Sequence, residues 1–184
     1  MKLGIVVGHT NGAKGAHSPF LNASEYPWNT DLANLIVANS PSSLQTKVFF
    51  RDGHGITGAY RAWDVWGSDV TVELHFNSSD NHRASGSGVL YHPNSTRGKR
   101  LATLLCQEIR TTLDLPAWPS GTSGVVTPFE ASGAEQRGLA SLSAGDAPAT
   151  LIEPFFGSNA DDSAKAAANK TALAKAIITA VARF

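Results

Sequence analysis

Apolar positions recur with two periods along the chain. Short runs rich in β-branched and aromatic residues predict strands at Leu3–Val7, Thr46–Phe50, Asp69–Phe76, Val89–His92 and Ala149–Phe155. Longer stretches with helical spacing lie between them. Asp31–Asn39 places Leu32, Leu35 and Ile36 on one side, and this helix can start nearer Glu25, because Pro27 would then sit in a first turn where its missing N–H costs little. Ile56–Trp66 predicts a short helix. Thr96–Leu113 predicts a long one, with Leu101, Leu104, Leu105, Ile109 and Leu113 on one stripe. Leu115–Ala144 is rich in Gly, Ser, Thr and Pro and reads as mostly irregular, and Ser163–Val181 reads as an Ala-rich closing helix.

Strands alternating with helices, without internal repeats or a long linker, predict a single-domain α/β fold over residues 1–184. Its three layers would be a mostly parallel central sheet flanked by helices. Ligands in such sheets bind beyond the carboxyl ends of the strands. His9 just past the first strand, His75 late in the third and Glu153 late in the last all belong to that edge.

Composition narrows the chemistry. The 184 residues are 42% hydrophobic and 16% charged, a globular balance. A chain of this length buries roughly 70% of its unfolded surface, enough for a core without a disulfide or metal staple. Lys+Arg and Asp+Glu are 15 each, so no basic excess points to nucleic acid. A single cysteine, Cys106, excludes an intrachain disulfide framework and a cysteine-rich zinc module, so any metal needs His and carboxylate ligands. There is no apolar run of membrane-spanning length, so no membrane insertion is expected. Leu3–Val7 is too short for a signal-peptide core, so no export signal is expected either.

Each candidate residue has an ordinary structural explanation by itself. His9, in Val7-Gly8-His9-Thr10, where Gly8 lets the backbone turn out of the strand, can simply bond within a turn. His75 shares one strand face with Glu73 and Asn77 and can be a satisfied core histidine. Glu25 suits the positive end of a helix dipole. Glu153 is harder to explain so, because Ala149–Ile152 and Pro154–Phe156 surround it with apolar residues, where an unpaired carboxylate is costly. Taken together, two histidines and a carboxylate form a common catalytic zinc set, and a further carboxylate supplies a general base.

The sequence resembles the zinc-dependent N-acetylmuramoyl-L-alanine amidases of bacteria and their phages, of the third amidase family, nearly end to end. The resemblance is carried by Gly8-His9, by Glu25 with Asn29 a turn later, by Phe49-Phe50-Arg51-Asp52 and by Arg61. It continues in His75-Phe76-Asn77 followed by Gly88-Val89-Leu90-Tyr91, and in the segment Pro148–Asn159 around Glu153. It implies that His9, Glu25 and His75 bind Zn2+ and that Glu153 is the catalytic carboxylate. It also implies a peptidoglycan substrate, cut at the amide between N-acetylmuramic acid and L-alanine. Without an export signal, a phage lysis enzyme released through a holin pore fits, as does a secretion-system effector. A zinc peptidase acting on the stem peptide and a non-enzymatic wall-binding module of the same fold are the rival readings.

Two positions depart from the family pattern. The loop after His9 reads Thr10-Asn11 where glycines are common. Glu73 stands two residues before His75, where the family usually has Ser. Glu73 can accept from a ligand imidazole, pair with Arg51 or Arg61, or replace Glu25 at the metal; the first two roles are the expectation. Gly53-His54-Gly55-Ile56-Thr57-Gly58 fits a dinucleotide fingerprint only on paper, because Arg51 and Asp52 separate the strand from the glycines. Gly-x-Ser-x-Gly is absent. His17, His54, His82 and His92 read as solvent-facing, Cys106 as core, and Trp28, Trp63, Trp66 and Trp118 as packing or loop anchors rather than sugar platforms.

Overall fold

The computed structural model describes all 184 residues. In chain order the strands are β1 (Lys2–Val7), β2 (His17–Ser18), β3 (Ala23–Ser24), β4 (Gln45–Phe50), β5 (Val70–Leu74), β6 (Gly88–Tyr91), β7 (Val125–Val126) and β8 (Ala149–Glu153). The helices are α1 (Glu25–Asn39), α2 (Gly55–Trp66), α3 (Thr96–Leu113), α4 (Pro128–Ser132), α5 (Leu139–Leu142), α6 (Ala160–Ala168) and α7 (Lys170–Ala182). Six strands form one sheet in the order β4-β1-β5-β8-β6-β7, and β2 and β3 form a separate small hairpin. The sheet is parallel except where β6 runs antiparallel to β8, so the expected three-layer α/β architecture is present.

Period-two alternation divides the side chains between two unequal cores. Leu3, Ile5 and Val7 of β1 join Leu32 and Ile36 of α1, Leu101, Leu105 and Ile109 of α3, and Leu173 and Ile177 of α7 in a cluster of 30 buried residues. Each such fully buried aliphatic side chain contributes about 1.5–3 kcal/mol relative to exposure. Val6 points the other way, with Phe49, Tyr60, Trp63, Leu90 and Leu151, into a cluster of 10. Parallel register aligns the strand ends: Val7 lies beside Leu74, and Leu74 beside Ile152. The residues that follow β1, β5 and β8 therefore emerge side by side.

Several boundaries differ from the sequence expectation. β5 ends at Leu74 rather than Phe76, since the last rung from β1 is Gly8 N–H to the Leu74 carbonyl, after which that neighbour turns away. β8 ends at Glu153, ahead of Pro154, which has no N–H to give a ladder. The closing helix is two. Asn159 caps α6 by accepting from the N–H groups of Asp161 and Asp162, and Asn169 interrupts the run, its side chain donating back to the Lys165 carbonyl. The segment 115–144 is less irregular than expected. It holds β7, α4, a 3-10 turn at Gly133–Glu135 and α5, and α4 opens on a reciprocal cap between Thr127 and Glu130. These elements are too short to show a period in the sequence. No helix is long and apolar enough to cross a membrane.

Candidate metal centre and active cleft

A cleft of about 640 Å³ opens at the carboxyl ends of β1, β5 and β8. His9, Glu25, His75 and Glu153 all line it, as do Arg51, Asn77, Trp118, Arg137, Ser141 and Phe156.

The close approach of two chain segments brings the histidines together. Gly8 is needed here: a Cβ on it would lie 2.4 Å from the His75 ring and 2.6 Å from the Leu74 carbonyl. The turn out of β1 is made by His9 itself, with φ of 68°, a left-handed conformation that is uncommon for a residue with a side chain. The sequence reading gave that turn to Gly8; the structure gives Gly8 the contact and His9 the turn. The rings of His9 and His75 meet edge to face, with centroids 4.8 Å apart. Gly15 closes the other side, where a Cβ would lie 2.6 Å from the His9 ring and 2.8 Å from Glu25 Oε1.

Glu25, the first residue of α1, stands between them. Its Oε1 lies 3.1 Å from His9 Nε2 and accepts from the Ala16 N–H at 2.9 Å. Its Oε2 lies 2.9 Å from His75 Nδ1 and accepts from the Phe76 N–H at 3.2 Å. Burial pushes the Glu25 carboxyl upward, but hydrogen bonds and charge from His75 and His9 outweigh it and hold the group at about 2. One donor atom from each of the three residues falls within 4.8 Å of the others. Tetrahedral ligands at zinc distances of 2.0–2.1 Å lie roughly 3.3 Å apart. The observed 2.9 and 3.1 Å separations, the mixed imidazole and carboxylate donors and the open cleft beside them all fit such a metal.

Glu153 is in different surroundings. Its Oε2 is shut off from solvent without a hydrogen-bond partner, although the residue keeps partial exposure to the cleft. Burial pushes its carboxyl up to about 8; His75 opposes the rise and the Glu25 carboxylate adds to it.

Glu73 is fully buried and is not part of the trio. Its Oε1 lies 2.8 Å from His75 Nε2, and it accepts from Arg51 and from the Tyr60 hydroxyl. Of the two arginines open to it in the sequence, Arg51 reaches it and Arg61 is exposed. Arg51 also donates to Ser141 Oγ at 2.7 Å. Tyr60 and Ser141 have no signal in the sequence beyond their place in short helical segments.

The remaining candidates separate cleanly. His17, His54, His82 and His92 are absent from the cleft wall; His82 Nδ1 lies 3.0 Å from the Ser158 carbonyl instead. Trp28 and Trp63 are core. Trp118 lines the cleft, its ring edge-on to Phe156 at 5.6 Å, so of the four tryptophans this one faces the open site. Cys106 is buried, and burial raises its thiol to about 11, which keeps it unreactive.

Comparison with known proteins agrees with this architecture. A family model described as N-acetylmuramoyl-L-alanine amidase, Amidase_3, matches residues 4–183. An N-acetylmuramoyl-L-alanine amidase from Clostridium difficile 630 superposes with a TM-score of 0.81 at 22% identity, covering 99% of this chain and 95% of that one. The CwlV amidase catalytic domain of Bacillus (Paenibacillus) polymyxa var. colistinus has a TM-score of 0.78 at 17% identity, covering 99% and 96%. The catalytic domain of the CD27L endolysin, which targets Clostridia difficile, has a TM-score of 0.74 at 26% identity, covering 100% and 97%. No curated protein sequence matches the chain.

Proposed function

The chain belongs to the Amidase_3 family of N-acetylmuramoyl-L-alanine amidases, and from that membership and the cleft we propose that residues 1–184 form a zinc-dependent catalytic domain. Its reaction is hydrolysis of the amide joining the lactyl group of N-acetylmuramic acid to L-alanine in peptidoglycan. The convergence of His9, Glu25 and His75 beside an unpartnered Glu153 carries this reading.

His9 through Nε2, Glu25 through a carboxylate oxygen and His75 through Nδ1 would hold Zn2+. When bound, the dication would supply Lewis-acid chemistry, polarising the scissile carbonyl and lowering the pKa of the attacking water. Glu153 accepts the water's proton as the C–O bond forms. It then delivers that proton to the alanine nitrogen as the C–N bond breaks, because an amine anion is a poor leaving group. Glu153 meets the water where the residue keeps partial exposure to the cleft, and its buried Oε2 engages no other donor. Glu25 is left to the metal, because its two oxygens face the His9 and His75 ring nitrogens at 3.1 and 2.9 Å.

The likeness to an endolysin catalytic domain supports a phage-type role in lysis at the bacterial cell wall. Mass analysis of muropeptides released from purified peptidoglycan tests the reaction. Free stem peptides beginning with L-alanine are the expected product; cleavage within the stem peptide, or no cleavage, would overturn it.

A further inference from the structure

Glu73 occupies a position that a three-ligand metal centre does not need. It lies on β5 two residues before His75, has no exposed surface, and collects donors from separate parts of the chain. Arg51, just past β4, and Tyr60, on α2, both donate to it. Arg51 is cationic at any working pH and can only donate, and its second bond to Ser141 Oγ on α5 fixes where the guanidinium sits. Two donors already converge on the carboxylate, and His75 Nε2 lies 2.8 Å from the same Oε1 that Arg51 meets. An acceptor at that position calls for a proton on Nε2. The other ring nitrogen, Nδ1, faces Glu25 Oε2 at 2.9 Å, on the side where His9 also arrives.

We propose that Glu73 is a positioning residue of the metal centre: it takes the Nε2–H of His75 so that Nδ1 presents its lone pair to the metal, while Arg51 and Tyr60 hold Glu73 itself out of the ligand set. This inference rests on the metal reading given above. An imidazole has two faces to choose between, and a carboxylate behind the ring fixes both the tautomer and the rotation. Here that carboxylate is itself held by the guanidinium and the phenol, so the orientation of a metal ligand is set by residues from β5, the turn after β4, α2 and α5. Ser141 adds a link to the segment that walls the cleft between residues 128 and 144.

The test is nitrogen NMR of the His75 ring in the zinc-loaded protein, together with zinc dissociation constants for Glu73→Gln and Glu73→Leu. Nδ1 should carry the shift of a metal ligand, and Nε2 should bear a proton protected from exchange. Glu73→Gln keeps an acceptor oxygen and should bind zinc within about tenfold of the parent. Glu73→Leu should weaken zinc by about 10–100-fold, as for loss of an outer partner of a ligand histidine, and should release the protected proton. Zinc ligated through Nε2 of His75, or unchanged affinity in both variants, would overturn the proposal. Since Glu73→Leu strips Arg51 of its partner and can fail to fold, the wild-type spectrum decides without it. A wild-type protein that takes up no zinc overturns the metal reading itself, so the two failures are told apart.

Discussion

At the start of α1, Glu25 meets four polar groups: the rings of His9 and His75 and the N–H groups of Ala16 and Phe76. At the end of β8, Glu153 lines the same cleft with one oxygen buried and unpartnered. Both are carboxylates in poorly hydrated places, yet partners hold the first at about 2 and burial raises the second to about 8. The difference is one of supply. The loop after β1 and the chain just past β5 deliver donors to Glu25, while Pro154, directly after Glu153, has no N–H to offer. A carboxylate held in place between two imidazoles suits a fixed ligand, and one without partners suits a group that must take up and release a proton.

The largest expected effect comes from breaking the Glu25 side through its neighbour. His75→Ala should lose zinc and drop peptidoglycan hydrolysis to background; full zinc occupancy by metal analysis would refute the ligand assignment. Next comes Glu153→Gln, which should lower turnover by about 10²–10⁴, the usual general acid–base contribution, as read by release of stem peptides.

The two carboxylates also give the metal-free protein opposite pH slopes. The pKa of Glu153 is raised on folding from 4.5 to about 8, so the native state holds its proton more tightly. That contribution is full below 4.5 and is lost as pH rises through 8. Relative to the difference near pH 4, Glu153→Gln, neutral throughout, should gain stability over the parent as pH rises from 4.5 toward 8, by at most about 1.4 kcal/mol per pH unit. Glu25 is depressed from 4.5 to about 2, so its contribution is present above 4.5 and is lost as pH falls toward 2. Denaturant melts of the chelated proteins at several pH values check both signs. The smallest effect is on the fold itself. With 30 buried residues in one cluster and 10 in the other, chelation should leave the far-ultraviolet circular dichroism unchanged. Global unfolding would show that the metal also has a structural role.

The alternation of strands and helices was readable because each long element buries one face and so repeats with its own period. His9, His75 and Glu153 are readable as candidates because each is a polar residue at the end of an apolar strand, whereas Glu25, at a helix start, stands out only through the family resemblance. What the sequence left open was partner choice. Glu73 had three possible roles, and its pairing with Arg51 and Tyr60 depends on contacts across 22 and 13 residues of chain. The Arg51–Ser141 link spans 90 residues and has no local trace. The job of Gly8 was misread for the same reason, since its need for a bare backbone comes from His75 on another strand. The elements between residues 115 and 144 were missed because a five-residue helix and a two-residue strand carry no measurable period.

The contrast between the two carboxylates is tested most directly by Glu25→Gln and Glu153→Gln prepared in parallel, with zinc content and turnover measured on each preparation. Glu25→Gln should lose both zinc and activity, whereas Glu153→Gln should keep its zinc and lose turnover by about 10²–10⁴. Near-normal hydrolysis by Glu153→Gln, or zinc lost from Glu153→Gln and retained by Glu25→Gln, would contradict it.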